Sequence, residues 1–248
     1  MVLFFTLEVL LYGTIFIFRD SLPDKAMFIG SGICLIWLIA MVYFTIILLS
    51  LDLLRLLHRR WRIYPKWVKQ RYLLTKQFLL ICSILLVSTV LYNGYRNGQS
   101  PVVKQMELTV KKGNPVRKEL KIAVASDWHI GHIVRKEETR NIVRLINSQN
   151  PDIVLLPGDL VDHDLHIAYN QNIDEELRQL KAPLGVYAVM GNHEYRGWPD
   201  AKKRWFAKSG ITLLVDSVVS PDNTFYLIGR DDFVNEKKRK SMRELMQS

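Results

Sequence analysis

The apolar run in "KIAVASDWHIGH" (121–132) stops at Asp127, and His129 follows two positions later. A second run, "DIVLLP", ends in "GDLVD" with Asp159, and a third, "VYAVM", ends in "GNHE" with Asn192 and His193. Any one of these suits a helix cap or a loop residue that satisfies its own hydrogen bonds. Their spacing argues for more: Asp127, Asp159 and Asn192 lie 32 and 33 residues apart, about one strand-helix unit each. Together they offer carboxylate, imidazole and amide oxygen without a thiolate. That mixture suits divalent ions such as Mn, Fe or Zn and argues against a cysteine-based structural zinc. A carboxylate central to such a set can bridge two ions, which lower the pKa of a bridging water and steady the oxygens of an in-line displacement at phosphorus. Phosphoester hydrolysis is the reaction that follows.

The elements that must position these groups alternate. "KQMELTV" (104–110) has the period-2 pattern of a half-buried strand, with "GNP" as a turn after it. "LKIAVAS" is more continuously apolar, the pattern of a strand covered on both faces. Residues 135–151 place Ile142, Leu145 and Ile146 at helical spacing behind acidic residues, and Asn150 and Pro151 end the pattern. The strand "DIVLLP" follows, then a short helix in "NIDEELRQLKAPLG", the strand "VYAVM", a helix in "WPDAKKRWFAKSG" and strand candidates "ITLLV" and "TFYLIG". Such alternation implies an α/β fold with a largely parallel sheet and right-handed crossovers. In such sheets ligands gather beyond the C-terminal strand ends, so the three motifs should converge on one spot.

"DWHIG", "GDLVD" and "GNHE", in this order, resemble the first three motifs of the calcineurin-like metallophosphoesterase superfamily, over roughly residues 119 to 232. With the apolar start, the chain resembles the transmembrane proteins with a metallophosphoesterase domain, a group similar to enzymes that cleave the pyrophosphate of UDP-2,3-diacylglucosamine. The resemblance implies that Asp127 and His129 bind a first metal, that Asp159 bridges two, and that Asn192 binds the second through its amide oxygen. It makes His193, with Asp159, catalytic: the imidazole would stabilise the reacting phosphoryl or protonate the leaving oxygen. Trp128 is an unusual side chain between the two ligands. His132, Asp162, His163 and His166 read as solvent-exposed loop residues before they read as ligands or their partners. Asp231 and Asp232 in "GRDD" read as turn caps, and "KKRK" (237–240) as a solvated face.

The first 95 residues differ in kind. Stretches 1–18, 26–51 and 77–93 are apolar enough for about three transmembrane helices, with Glu8 as an interfacial carboxylate in the first. The formal charge of +10 divides unevenly, with ten Lys/Arg against four Asp/Glu before residue 96 and 24 against 20 after it. The excess lies in "RLLHRRWRIYPKWVKQRYLLTK" (55–76), where cations interleave with Trp61, Tyr64, Trp67 and Tyr72. That composition suits a lipid headgroup region and gives no nucleic-acid partner. The positive-inside rule puts this loop in the cytoplasm and the following domain outside it. Cys34 and Cys82 fall inside apolar stretches and supply neither a metal site nor a disulfide framework. Residues 96–118 read as a linker and first strand, and 119–248 as the metallophosphoesterase domain.

The family completes its centre with a later His and a Gly-His-x-His motif, and this sequence contains no histidine after His193. The second metal site is therefore incomplete in this chain. The expectation is a C-terminally truncated α/β sandwich with little dinuclear hydrolysis of its own and apolar surface uncovered where the second sheet would pack. The leading reading is a multi-pass, membrane-anchored, metal-dependent phosphoesterase acting on a phosphorylated lipid or nucleotide-lipid. Its rival is a catalytically incomplete membrane protein whose domain only binds.

Overall fold

A computed structural model describes residues 22–111, 117–163, 165–235 and 239–247, with scattered positions between 6 and 17. The first proposed span, Glu8 within it, and the "GNP" turn lie largely or wholly outside the described residues. The chain divides into two compact units, residues 1–101 and 102–248.

In the first unit, helix α1 (Asp24–Trp61) runs 38 residues, a short α2 (Lys66–Gln70) follows, and α3 (Tyr72–Gln99) runs 28. Ile29–Trp61 and Tyr72–Gln99 are long and apolar enough to cross a membrane. Both exceed the stretches 26–51 and 77–93. The basic segment 55–61 continues α1, because arginine is a good helix former and its charge is tolerated once the helix leaves an apolar layer. At its end, Arg62 adopts φ 49° and its N–H closes on the His58 carbonyl at 2.8 Å. Asn97 and Gly98, read as linker, stay helical in α3, as do Asn93 and Gly94 before them. Each glycine costs about 1 kcal/mol relative to alanine, too little to stop a helix propagating from a long apolar run.

Polar side chains in these helices turn back on their own backbone. Thr45, Ser50, Ser83 and Thr89 each donate to the carbonyl four residues earlier, at 2.7 to 2.8 Å. That pattern satisfies hydroxyls without water.

In the second unit, strands β1 (Ile122–Val124), β2 (Ile153–Pro157), β3 (Val186–Val189) and β4 (Thr212–Leu213) form one parallel sheet in the order β1-β2-β3-β4. Helices α4 (Lys136–Ser148), α5 (His166–Asn170), α6 (Ile173–Leu177) and α7 (Pro199–Lys208) lie in the connections. With strands laid down in sequence order, right-handed crossovers put these helices on one face. The registers place Ala123, Val154, Leu156, Val186 and Ala188 on that face, where they pack with Val143, Ile146, Leu177, Trp205 and Phe206 in one core. Arg140 in α4 locks to the buried Glu176 in α6 through a two-pronged ion pair, Nε–Oε2 3.1 Å and Nη2–Oε1 2.9 Å.

Two expectations change here. β1 is apolar without being covered on both sides, since Ile122 and Val124 are 48% and 63% exposed on the face opposite the helices. Residues 104–110 form no strand, and Met106, Leu108 and Val110 stand exposed. Alternation can only become a strand where another edge takes up its N–H and C=O groups, and no described residue does so here. The chain adds α5 inside the loop after "GDLVD" and a strand β5 (Ser217–Val219), which pairs antiparallel with β6 (Leu227–Gly229), the end of the strand candidate "TFYLIG". A last short helix, α8 (Met242–Met246), is capped by Ser241.

Candidate metal centre

The loops after β1, β2 and β3 meet at the C-terminal edge of the sheet. The β1 loop is tied to the β2 loop by backbone bonds from Asp127 N–H to Gly158 O (3.2 Å), His129 N–H to Asp159 O (3.0 Å) and Ile130 N–H to Leu160 O (2.9 Å). Asp127, His129 and Asp159 take positive φ values of 57°, 52° and 52°. Non-glycine residues adopt this conformation at a cost that surrounding structure must over-determine. Trp128 explains part of it: its indole is buried in the core, so the residues on either side are turned outward together.

The β2 and β3 loops touch backbone to backbone. Gly158 sits at φ 89°, and a Cβ there would come within 2.8 Å of Gly191 Cα. A Cβ on Gly191 would in turn collide with the Asp159 carboxylate and lie 2.6 Å from the Asp159 nitrogen.

Glu194, the last residue of "GNHE", holds this crossing together. It is fully buried. Its Oε2 accepts the N–H groups of Asp159 and Gly191, both at 2.8 Å, and its Oε1 accepts that of Val161 at 2.8 Å. One carboxylate thereby satisfies three donors from two loops. From the other side, buried Lys202 of α7 donates to the carbonyls of His193 and Arg196 at 2.7 and 2.9 Å. Neither residue was singled out in the sequence.

Three side chains converge: His129, Asp159 and His193 bring one donor atom each within 4.8 Å of one another. Asp159 Oδ1 also accepts the His193 N–H at 2.9 Å, so it caps the β3 loop and no helix. Asp127 stands at the open side, its Oδ1 3.9 Å from His129 Nε2, with the Ser126 hydroxyl donating to Oδ2. Asn192 turns its amide onto Asp159, with contacts of 3.2 and 2.8 Å to the two carboxylate oxygens. With nitrogen inward the amide donates to Asp159. With oxygen inward two acceptors face each other, an arrangement that a shared cation reconciles.

Asp162 corrects the weighting of the loop residues. Its Oδ1 lies 2.9 Å from His193 Nδ1 and 3.3 Å from His129 Nδ1, so one carboxylate orients both imidazoles. Arg196 Nη1 lies 3.3 Å from His193 Nε2. Arginine only donates, so Nε2 is the accepting nitrogen and Nδ1–H points to Asp162. A ring held by a carboxylate at one nitrogen presents the other as a ligand or proton carrier. His132 and His163 line an adjoining cleft of about 200 Å³ with Gly131, Asp162, His193 and Arg196.

The "GRDD" turn supports the site from below. Asp231 is buried and accepts from the Tyr195 hydroxyl and from Asn235, and its own N–H donates to Asp216 at 3.0 Å. Burial, and then the bond to Asp231, push the Tyr195 phenol well above its ordinary pKa. Tyr195 therefore stays a neutral donor that anchors the segment after "GNHE".

Residues 120–243 match the family model described as calcineurin-like phosphoesterase. The chain belongs to the calcineurin-like phosphoesterase family. It is 30% identical over 147 residues to a metallophosphoesterase of Aquifex aeolicus, covering 58% of this chain and 54% of that one. It is 32% identical over 163 residues to a transmembrane protein with metallophosphoesterase domain of Danio rerio, covering 62% and 36%. The counterpart of that name in Bos taurus is 35% identical over 109 residues, covering 44% and 24%. The chain spans from about a quarter to about half of the length of these curated relatives. Calcineurin-like phosphoesterases work with divalent metals, and the donor set His129, Asp159 and His193 fits such an ion.

Proposed function

We propose that this chain supplies the metal-binding and phosphoryl-handling groups of a membrane-attached phosphoester hydrolase. The observation that carries this is the shared carboxylate of Asp162, which fixes His129 and His193 around Asp159 in one orientation. In this reading Asp127, His129 and Asp159 would hold a first divalent ion, and Asp159 with the amide oxygen of Asn192 would contribute to a second site that needs further ligands. The bound ions supply Lewis-acid stabilisation of charge at phosphorus. His193 holds a proton at Nδ1 against Asp162, and on taking up a second proton at Nε2 the imidazolium would stabilise the phosphoryl oxygens or give that proton to the leaving oxygen. Arg196, beside Nε2, adds a fixed positive charge for an anionic substrate. Glu194 and Lys202 keep the loop from shifting by the ångström that would cost most of the rate.

The substrate in this reading is a phosphorylated lipid or nucleotide-lipid, such as a UDP-linked diacyl sugar with a pyrophosphate bond. Support comes from the two long apolar helices and from the transmembrane relatives. Basic residues from Arg55 to Lys76, with exposed Trp61, Trp67 and Tyr72, face anionic headgroups on the cytoplasmic side, and the domain lies on the other.

The test is metal and turnover together. Equilibrium dialysis against Mn should show ion bound to the full chain and lost in Asp159→Asn. Hydrolysis of p-nitrophenyl phosphate or its bis-ester by this chain should be weak, since the second metal site is incomplete, and should vanish with chelator; turnover indifferent to chelator and to Asp159→Asn overturns the reading. Reporter fusions at residues 65 and 110 test orientation: a cytoplasm-only reporter active at 110 sinks it.

A further inference from the structure

Beyond the metal-binding groups, the cleft lined by His132, Asp162, His193 and Arg196 shares His163 as a wall with a second cleft of about 250 Å³. The second cleft is apolar: Leu165 and Ala201 form part of its lining, with the rings of Tyr169 and Trp198 at its sides. Trp198 is 77% exposed and Tyr169 44% exposed. Two large rings left this exposed beside an apolar hollow cost hydrophobic free energy that an apolar ligand recovers. Trp198 is placed firmly, because it precedes Pro199 at the first turn of α7, and Lys202 one turn on is buried and bonded to the His193 loop. The cleft and the phosphoryl-handling histidine therefore share one rigid support.

Resting on the phosphoester reading above, we propose that this second cleft is the subsite for an apolar group, an aryl ring or acyl segment, carried by the phosphorylated substrate. The anionic end sits against His193 and Arg196, and the apolar end passes His163 to lie against Tyr169 and Trp198. The volume admits one ring or a short length of chain, as small-ligand pockets lined by aromatics with a few polar groups at one end do. Trp198 and Tyr169 are in this scheme specificity-determining residues for substrates that differ only in that group.

The experiment compares phenylphosphonate with methylphosphonate, neither of them hydrolysable, binding to the full chain in lipid nanodiscs with Mn. Phenylphosphonate should bind about tenfold more tightly, the scale set by burying one ring. Trp198→Ala, and independently Tyr169→Ala, should reduce that preference to about threefold or less while leaving methylphosphonate affinity where it was. Equal affinities for the two phosphonates in the parent chain, or a preference unchanged in both variants, overturns the subsite. So does loss of vesicle association in Trp198→Ala with the preference intact, which would make the ring a lipid contact. Methylphosphonate affinity that ignores removal of Mn counts against the metal-centre reading, and the phenyl preference still decides the cleft.

Discussion

The two units of this chain use the same apolar residue types in opposite ways. Among the described residues of α1 and α3 only Cys34 and Val87 are buried, and most Leu and Ile side chains are exposed or half-exposed. In the second unit Val154, Leu156, Leu177, Trp205 and Phe206 are sealed inside, and several charges are buried with them, among them Glu194 and Lys202. The difference matches two solvents, since α1 and α3 are long and apolar enough to cross a membrane. Helices whose hydroxyls bond to their own carbonyls need no water, whereas a sheet edge that gathers carboxylates and imidazoles needs a water-exposed mouth and a packed core behind it.

The comparison is broken most severely at Glu194. Glu194→Ala leaves three backbone donors without their charged acceptor, and the expected cost is about 3 to 5 kcal/mol. Chemical denaturation of the 102–248 unit within the full chain, followed by loss of Mn binding, measures it. Next is the first unit's outward apolar surface: Leu38→Arg puts a charge in the middle of α1 at a cost of about 3 kcal/mol to a membrane helix. The expected readout is a fall in α1 insertion, scored by a reporter fusion at residue 65, since α3 alone could keep the chain in the membrane fraction; an unchanged reporter would show that α1 does not cross a bilayer.

A third change sharpens the role of the site edge without touching a proposed ligand. Asp162→Asn removes the carboxylate that orients His129 and His193, and Mn affinity should fall by about 10- to 100-fold with the fold intact. The smallest effect lies in the core behind it. Arg140→Ala should destabilise only mildly, because buried Glu176 keeps Gln179 Nε2 at 3.1 Å and Lys136 Nζ at 3.7 Å. The bond from Arg140 holds the Glu176 carboxyl below the usual glutamate range. Its folded pKa is depressed, so its stabilisation is present above the ordinary value of about 4.3 and is lost as the pH falls through the folded value. Acid denaturation curves of parent and Arg140→Ala should therefore converge at low pH.

Much of the second unit is legible in the sequence because its signals are local. Apolar runs of four to seven residues mark β1 to β3, helical spacing of Ile142 and Ile146 marks α4, and Asn150 with Pro151 ends it. The segment 104–110 carries an equally good alternation and forms no strand, because pairing depends on a neighbour and not on the pattern. Asn93 to Gln99 carries turn residues and stays helical, because a helix already nucleated over an apolar run outweighs weak formers at its end.

For the candidate site, the sequence by itself determined the donor types, their order, and their places at three strand ends. Only the tertiary structure decided which of them cooperate. Glu194 binds N–H groups 33 and 35 residues away, and Asp162 receives imidazoles 31 and 33 residues away on either side of it in the chain. Such bonds depend on which loop backbones cross and on which way a carboxylate turns, and both are set by the packing of Trp128 inward and by the close approach of Gly158 to Gly191.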